Sequence, residues 1–258
     1  MDSWTRWSTS PSSRVFAVDR PTAGPWVLLA ASVGLLTAHA APALTRGRLL
    51  RQAFLPRLSG VGAPGGIAVS FDDGPDPRGT PAVLEVLEVL GWRVTFFLLG
   101  SQVARYPDVA RDIVAAGHEI GVHGYLHRNH LARGPLALRV DLERAKGLIG
   151  DVTGRAPYWF RPPYGVMSGG TMWAARRAAL RPVLWTAWGR DWISAPAEAI
   201  TATVLRTLRD GGTVLLHDSD CTSEPGSWRG TVRALPLLAA HVQARRWQVR
   251  TLTEHVGR

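Results

Sequence analysis

The chain has 258 residues, 46 % of them hydrophobic, which is enough for one large α/β domain with a sizeable core and excludes a disordered protein. The formal net charge is +10, but every basic residue except Lys146 is an arginine, and these arginines are scattered without a binding motif, so we predict no nucleic-acid partner. The single cysteine, Cys221, allows neither an internal disulfide nor a thiolate metal cluster.

Residues 25–44 form the first recognisable segment, PWVLLAASVGLLTAHAAPAL, which is uncharged and close to the length that crosses a bilayer. An A-x-A site at residues 38–40 fits a cleaved signal peptide, whereas the length of the segment favours a retained membrane anchor. Arginines on both sides leave the orientation open, and an apolar helix packed on the domain is the third alternative. We predict that residues 1–60 are a membrane-anchor or signal segment plus linker, in a membrane-anchored or secreted protein of the cell envelope.

Residues 61–258 alternate short apolar runs with helical patterns, which predicts a parallel sheet covered by helices. The predicted strands are residues 67–71, 94–98, 119–122, 158–160, 183–185, 213–216 and 247–249. The predicted helices are residues 80–90, with Thr80 as N-cap, and residues 103–116, 136–149, 171–179, 197–208 and 232–244. Seven strands favour an α/β fold of the distorted (β/α)7-barrel type, preceded by the N-terminal apolar helix.

Chemically versatile side chains follow several of the predicted strands. Asp72 and Asp73 follow the first, His123 and His127 the third, Arg161 the fourth, Asp191 the fifth and His217 the sixth. Functional groups in such folds lie on the loops at the carboxyl ends of the strands. We therefore expect all of these residues on one rim of the sheet.

A carboxylate and two imidazoles on this rim, Asp73, His123 and His127, have the composition of a catalytic zinc site with one open position. The i, i+4 spacing of the histidines in HGYLH places both rings on one face of a helical turn. A divalent cation also accounts for two adjacent acids, because one acid can bind the cation while Asp72 accepts a proton from a metal-bound water. The sequence alone leaves open that the DDGPDP segment is only a turn.

Three further residues have polar roles that fit the same rim. Arg161 precedes two prolines and is suited to orient a carboxylate by a charge-assisted hydrogen bond. The turn at Tyr164 can direct a backbone N–H toward a developing oxyanion. His217 is suited to act as a general acid, with Asp191 holding its tautomer.

Five motifs occur together in one order: SFDDGP at residues 70–75, HGYLH at 123–127, RPPYG at 161–165, GRDW at 189–192 and LLHD at 215–218. In this combination residues 66–256 resemble the polysaccharide deacetylases, family 4 carbohydrate esterases with a NodB homology domain. The resemblance implies a NodB-like domain at residues 61–258 and zinc-dependent hydrolysis of N-acetyl groups on an acetylated glycan, with release of acetate.

The resemblance also implies a role for each site residue. Asp72 would be the base, and Asp73, His123 and His127 the zinc ligands. Arg161 would orient Asp72, and the backbone N–H of Tyr164 would stabilise the oxyanion. His217, tuned by Asp191, would protonate the amine, while Leu215 and Trp192 would line the pocket for the acetyl methyl.

Two positions depart from the family pattern. Gly124 stands where the second motif usually has Ser or Thr, and Trp188 stands where the fourth motif often has Asp. Both positions bear on the substrate more than on the chemistry, because neither is a proposed ligand, base or acid. The alternatives to an N-deacetylase are an O-acetyl esterase or small-amide hydrolase on the same scaffold, and a catalytically silent sugar-binding protein. The loop at residues 218–228 leaves the rim, and we expect it to influence substrate choice.

Overall fold

The computed structural model describes residues 25–257, in a chain that divides into two compact units at Leu36 and Thr37. The first described element is α1 (Pro25–Ala40), whose apolar side chains cover all of its faces. Trp26 is 78 % exposed, and the helical segment Trp26–Thr45 has a mean hydropathy of 1.8. Length and composition thus suffice for a membrane span, although a signal sequence meets the same criterion. The portion of the predicted N-terminal segment before residue 25 lies outside the described residues.

The second unit is built on one parallel sheet of eight strands. These are β1 (Gly66–Asp72), β2 (Thr95–Leu98), β3 (Glu119–Val122), β4 (Trp159–Phe160), β5 (Arg181–Pro182), β6 (Ala187–Trp188), β7 (Thr213–His217) and β8 (Gln248–Arg250). Their order is β5-β4-β3-β2-β1-β7-β6, with β8 paired to β1. Within residues 25–257 no ladder joins β5 to β6, so the curled sheet stays open between these two strands and forms a half-barrel. The predicted distorted (β/α) barrel is confirmed, with eight strands instead of seven.

Helices cover this sheet. They are α2 (Arg48–Phe54), α3 (Gly79–Leu90), α4 (Gly100–Arg105), α5 (Pro107–Ala115), α6 (Pro135–Thr153), α7 (Gly169–Arg177), α8 (Ala197–Leu205), α9 (Trp228–Ala244) and α10 (Leu252–Val256). Short 3₁₀ turns occur at Ala41–Arg46, His130–Ala132 and Pro163–Gly165. The main core contains Phe71, Phe96 and Phe160 from the strands and apolar residues of α3 to α9.

Strand β1 is the centre of the sheet, and all seven of its residues are buried. It pairs with β2, β7 and β8, and its register places Asp72 beside His217. In the next strands Val122 pairs with Phe160, so the chain leaves β3 and β4 at the same level. This alignment brings the residues that follow each strand to one rim.

The predicted strand at residues 183–185 is wrong, because its backbone is bonded outside the sheet over most of its length. The amide of Leu184 donates to the carbonyl of Leu58, and the carbonyl of Leu184 accepts a bond from Arg161. The carbonyl of Trp185 accepts a bond from Arg51. Two short strands, β5 and β6, flank the segment instead, and Asp191 follows β6.

Helix boundaries also differ from the prediction, and two of the differences have a local explanation. Helix α3 begins at Gly79, so Thr80 is not its N-cap; the buried Thr80 hydroxyl donates to Asp218 at 2.5 Å and accepts from the amide of Asp76. The single helix predicted at residues 103–116 is split into α4 and α5 at Tyr106, since Pro107 disfavours helical backbone in the residue before it.

Candidate active site

The centre of the rim is a cluster of Asp73, His123 and His127. Asp73 Oδ1 lies 3.4 Å from His123 Nε2 and 3.6 Å from His127 Nε2, and the three ligand atoms lie within 4.8 Å of one another. Asp73 Oδ1 is buried and has no hydrogen-bond partner among residues 25–257. Ligand atoms at about 2.1 Å from a tetrahedral cation are about 3.4 Å apart. The donor set and its spacing therefore fit one divalent cation.

The surroundings of His123 and His127 favour the neutral form of both imidazoles. His123 Nδ1 lies 2.8 Å from the carbonyl of Arg161 and donates to it, which leaves Nε2 as the free acceptor facing Asp73. Burial lowers the pKa of His123 well below its ordinary value, and the charges of His127 and Arg161 lower it further. Burial also lowers the pKa of His127, although Asp73 opposes this shift. Neutral imidazole is the form that binds a cation.

Asp72 lies beside the cluster and is held by Arg161. The Arg161 Nη1 group donates to Asp72 Oδ1 at 2.7 Å and to the Ser70 hydroxyl at 2.9 Å. Arg161 is fully buried, and its guanidinium lies 4.1 Å from the centroid of the Phe97 ring. Burial raises the pKa of Asp72, the Arg161 charge lowers it, and the result is a pKa of about 6. Asp72 is thus oriented, and it is ionised at neutral pH.

His217, at the end of β7, forms a second buried pair with Asp191. His217 Nδ1 lies 3.0 Å from Asp191 Oδ1, and the backbone amide of His217 donates to Asp191 Oδ2 at 2.7 Å. The Thr231 hydroxyl also donates to Asp191 Oδ2. Burial alone would lower the pKa of His217, but the charge of Asp191 and its hydrogen bond raise that pKa to about 9. The pair leaves His217 Nε2 available and favours a protonated ring.

These groups surround a cavity of about 380 Å³. It is lined by Asp72, Asp73, His123, His127, Tyr164, Gly165, Trp185, Trp188, Trp192, Leu215, His217, Thr222 and Ser223. Eight of the ten predicted site residues are among them, and the other two, Arg161 and Asp191, are buried behind its wall. Tyr164 has a left-handed backbone, with φ 59, and its ring packs against His127 with centroids 4.4 Å apart.

Two contributors to the site, Thr222 and Ser70, were not found from the sequence. The Thr222 hydroxyl donates to Asp73 Oδ2 at 2.5 Å, from the loop predicted only to influence substrate choice. Ser70 fixes Arg161 from within β1. A serine or threonine beside a carboxylate has no sequence signal when the two are distant in the chain. Ser70 is the exception. It lies two residues before Asp72 in β1, so the alternation of side chains along a strand predicts that both lie on the same face.

Gly124, the departure in the second motif, has a structural reason. Its φ is +95, a backbone conformation that side-chain-bearing residues rarely adopt, and an added Cβ would lie 3.3 Å from Asp141 Oδ2. The carboxylate of Asp141 accepts bonds from the amide of Tyr125 and from Arg133. Gly124 therefore allows the loop between His123 and His127 to turn directly after His123.

Comparison with known proteins agrees with this geometry. The polysaccharide deacetylase family model matches residues 60–183. The chain is 33 % identical to a chitooligosaccharide deacetylase of Bradyrhizobium sp. strain ANU 289, over 73 % of this chain and 89 % of that protein. It is 36 % identical to a peptidoglycan-N-acetylglucosamine deacetylase of Bacillus cereus, over 59 % and 72 % respectively.

Among solved structures, a family 4 acetyl xylan esterase from Clostridium thermocellum in complex with a cobalt ion superimposes with a TM-score of 0.65. It is 30 % identical, and the match covers 73 % of this chain and 88 % of that chain. The family model thus covers β1 to β5, and the Bradyrhizobium relative and the solved structure each cover nearly three quarters of the chain. The chain belongs to the polysaccharide deacetylase family.

Proposed function

We propose that this protein is a metal-dependent hydrolase that removes N-acetyl groups from a carbohydrate and releases acetate. The observation that carries the proposal is the buried, unpartnered Asp73 Oδ1, which lies within 3.6 Å of two imidazole nitrogens in a cavity that also contains Asp72 and His217. Asp73, His123 and His127 would hold the cation, and zinc is the metal that this donor set favours. The cobalt ion in the similar esterase supports a divalent cation.

A divalent cation held by these residues would polarise the acetyl carbonyl and increase the acidity of water. Asp72, oriented by Arg161, accepts the proton of the attacking water, and the backbone N–H of Tyr164 faces the developing oxyanion. His217 Nε2 gives its proton to the sugar nitrogen as the C–N bond breaks, and Asp191 keeps the opposite nitrogen protonated. Leu215 and Trp192 receive the acetyl methyl. Water and the amide thereby become acetate and a free amine.

For the N-terminal region we propose residues 1–60 as a membrane-anchor or signal segment plus linker and residues 61–258 as the catalytic domain. The exposed apolar helix α1 and the start of the family match at residue 60 support this division. Residues 25–44 would associate with the membrane. That helix and the peptidoglycan deacetylase among the relatives support a location in the cell envelope.

A second candidate function is O-deacetylation, which the similarity to an acetyl xylan esterase favours. Both reactions need the same base, cation and oxyanion donor, and they differ in the leaving atom. An amide nitrogen requires protonation more than an ester oxygen does, so the protonated His217 beside Asp191 favours the amide. The presence of Asp72, Asp73, His123, His127 and His217 argues against a silent sugar-binding protein.

The test is acetate release by the full chain from chitooligosaccharides, peptidoglycan and acetylated xylan, after chelation and after added zinc. We expect zinc-dependent acetate with an equal amount of new free amine on the glycan. Acetate from xylan alone would establish the esterase instead. Absence of acetate from every substrate, together with absence of bound metal, would overturn the proposal.

Asp191→Asn is expected to move the alkaline limb of the pH–activity profile to lower pH by at least about one unit, since loss of one nearby charge shifts a pKa by about 1–3 units. His217 acts in its protonated form, which is lost as pH rises through its raised pKa, and the variant lowers that pKa. A bound cation lowers the pKa of His217 in both proteins, so the two pH profiles are compared with each other. Thr231→Val is the control, because it removes a hydrogen bond to Asp191 without removing charge. An unshifted limb in Asp191→Asn would contradict this role.

A further inference from the structure

A second cavity, of about 540 Å³, adjoins the catalytic one at the opening of the half-barrel between β5 and β6. It is lined by Arg48, Arg51, Gly165, Trp185, Thr186, Trp188, Arg190, Thr203, Arg206 and Thr207. Gly165, Trp185 and Trp188 also line the catalytic cavity, so the two spaces share a wall. We call this space the arginine cavity.

Four arginines and no acidic residue line the arginine cavity. Among residues 25–257 none of the four has a carboxylate within 4.0 Å, whereas Arg133 and Arg161 each have one. Arg206, directly after α8, donates a hydrogen bond to the hydroxyl of Thr203 in that helix. The lining therefore has a concentrated positive charge, and no carboxylate among residues 25–257 lies within 4.0 Å to neutralise it.

Arg51 shows that this charge extends into the protein. Its side chain is 4 % exposed and donates to three neutral oxygens, those of Ser59 at 3.1 Å, the Thr45 carbonyl at 2.7 Å and the Trp185 carbonyl at 2.6 Å. Burial lowers its pKa to about 10, and the charges of Arg161 and Arg48 contribute to that shift. A buried cation without a counter-ion is costly, and an anionic ligand would offset the cost.

Phosphate is the anionic group that fits this lining best. Guanidinium groups bind phosphate oxygens in bidentate geometry, and a phosphate ester carries up to two negative charges, against one for a carboxylate. The cavity is much larger than a phosphate alone, which leaves room for the group esterified to it. Gly165, Trp185 and Trp188 line both cavities, so a phosphate in the arginine cavity would lie against the same residues as a sugar in the catalytic cavity.

We propose that the arginine cavity binds a phosphate group carried by the substrate, so that the protein deacetylates an acetamido sugar phosphate. This inference rests on the proposed deacetylase function and narrows its substrate class. The phosphate can belong to a soluble sugar phosphate, a monoester with up to two negative charges, or to a sugar linked through phosphate to a lipid, a diester with one. Both present anionic phosphate oxygens to the arginines.

The first test is binding, which does not depend on turnover. The full chain with Asp72→Asn, in detergent, is titrated calorimetrically with N-acetylglucosamine 1-phosphate and with the neutral methyl glycoside of N-acetylglucosamine. We expect the phosphate to bind at least about tenfold more tightly, since a charge-assisted hydrogen bond contributes about 1.5–3 kcal/mol. Adding Arg48→Gln and Arg206→Gln should reduce this preference to about threefold or less. Arg233→Gln together with Arg245→Gln, two exposed changes that remove the same charge outside the cavity, should preserve it.

The second test compares kcat/KM for three probes: the neutral glycoside, N-acetylglucosamine 1-phosphate, and the same phosphate esterified to farnesol. A phosphate preference that depends on Arg48 and Arg206 supports the proposal, and the better phosphorylated probe identifies its source. Equal affinity and turnover for phosphorylated and neutral sugars, or binding of inorganic phosphate without any sugar preference, would overturn it. Failure of the deacetylase function itself would appear differently, as arginine-dependent phosphate binding without acetate from any probe.

Discussion

Asp72→Asn is expected to lower kcat/KM for acetate release by about 10²–10⁴-fold, the usual contribution of a general base, while leaving bound metal unchanged. Asp72 Oδ1 accepts a hydrogen bond from Arg161 at 2.7 Å. Asp72 Oδ2 lies 3.8 Å from His123 Nε2, whereas Asp73 Oδ1 lies 3.4 Å from the same nitrogen. Asparagine has the same shape and can still accept the Arg161 bond, but it cannot take a proton from water. The measurement is acetate release together with metal content by atomic emission.

Asp218→Asn is the matched control for this prediction. Asp218 is also a buried acid, with a pKa that burial raises to about 7, and it lies on the loop after β7 outside the cavity lining. We expect it to change kcat/KM by less than about tenfold, with folding checked by urea unfolding. If Asp72→Asn lost its metal, or retained activity near that of Asp218→Asn, the assignment of Asp72 as the base would be wrong.

Asp73→Ala is expected to lose both the metal and the activity, with metal affinity reduced by more than about 100-fold, because removal of outer-shell partners alone reduces it by 10–100-fold. Asp73 Oδ1 is the oxygen that both imidazoles face. Because Asp73 has φ 77, which asparagine tolerates better than alanine does, Asp73→Asn is the second variant and protects the result against misfolding.

The readout for Asp73 is the effect of zinc on unfolding, which does not depend on turnover. A ligand present at about 100 times its dissociation constant stabilises the native state by about 2.7 kcal/mol. Zinc should therefore raise the urea midpoint of the wild type and of Asp72→Asn but not that of Asp73→Ala. A zinc-dependent midpoint in Asp73→Ala would contradict the ligand assignment and reverse the roles proposed for the two acids.

Much of this site could be predicted because the sheet is parallel. β1 and β7 are buried apolar runs, and a run of this kind ending in a polar residue places that residue at the carboxyl edge. Asp72, His123, Arg161 and His217 follow from that rule, and eight predicted residues do line one cavity. The i, i+4 spacing of His123 and His127 is a local feature, so it can be read directly from the sequence.

What the sequence by itself determined was therefore the parallel α/β class, the rim and the chemical types on it, since these depend on periodicity and local spacing. Only the tertiary structure decided the features made by contacts between distant segments. Residues 183–185 do not form a strand, because Leu58 and Arg51 compete for their backbone groups. Thr222 reaches Asp73 across 149 residues. The arginine cavity combines α2, the Pro163–Gly165 turn, the region around β6, and α8. Periodicity and local spacing do not reveal these contacts, because each joins segments that are distant in the chain.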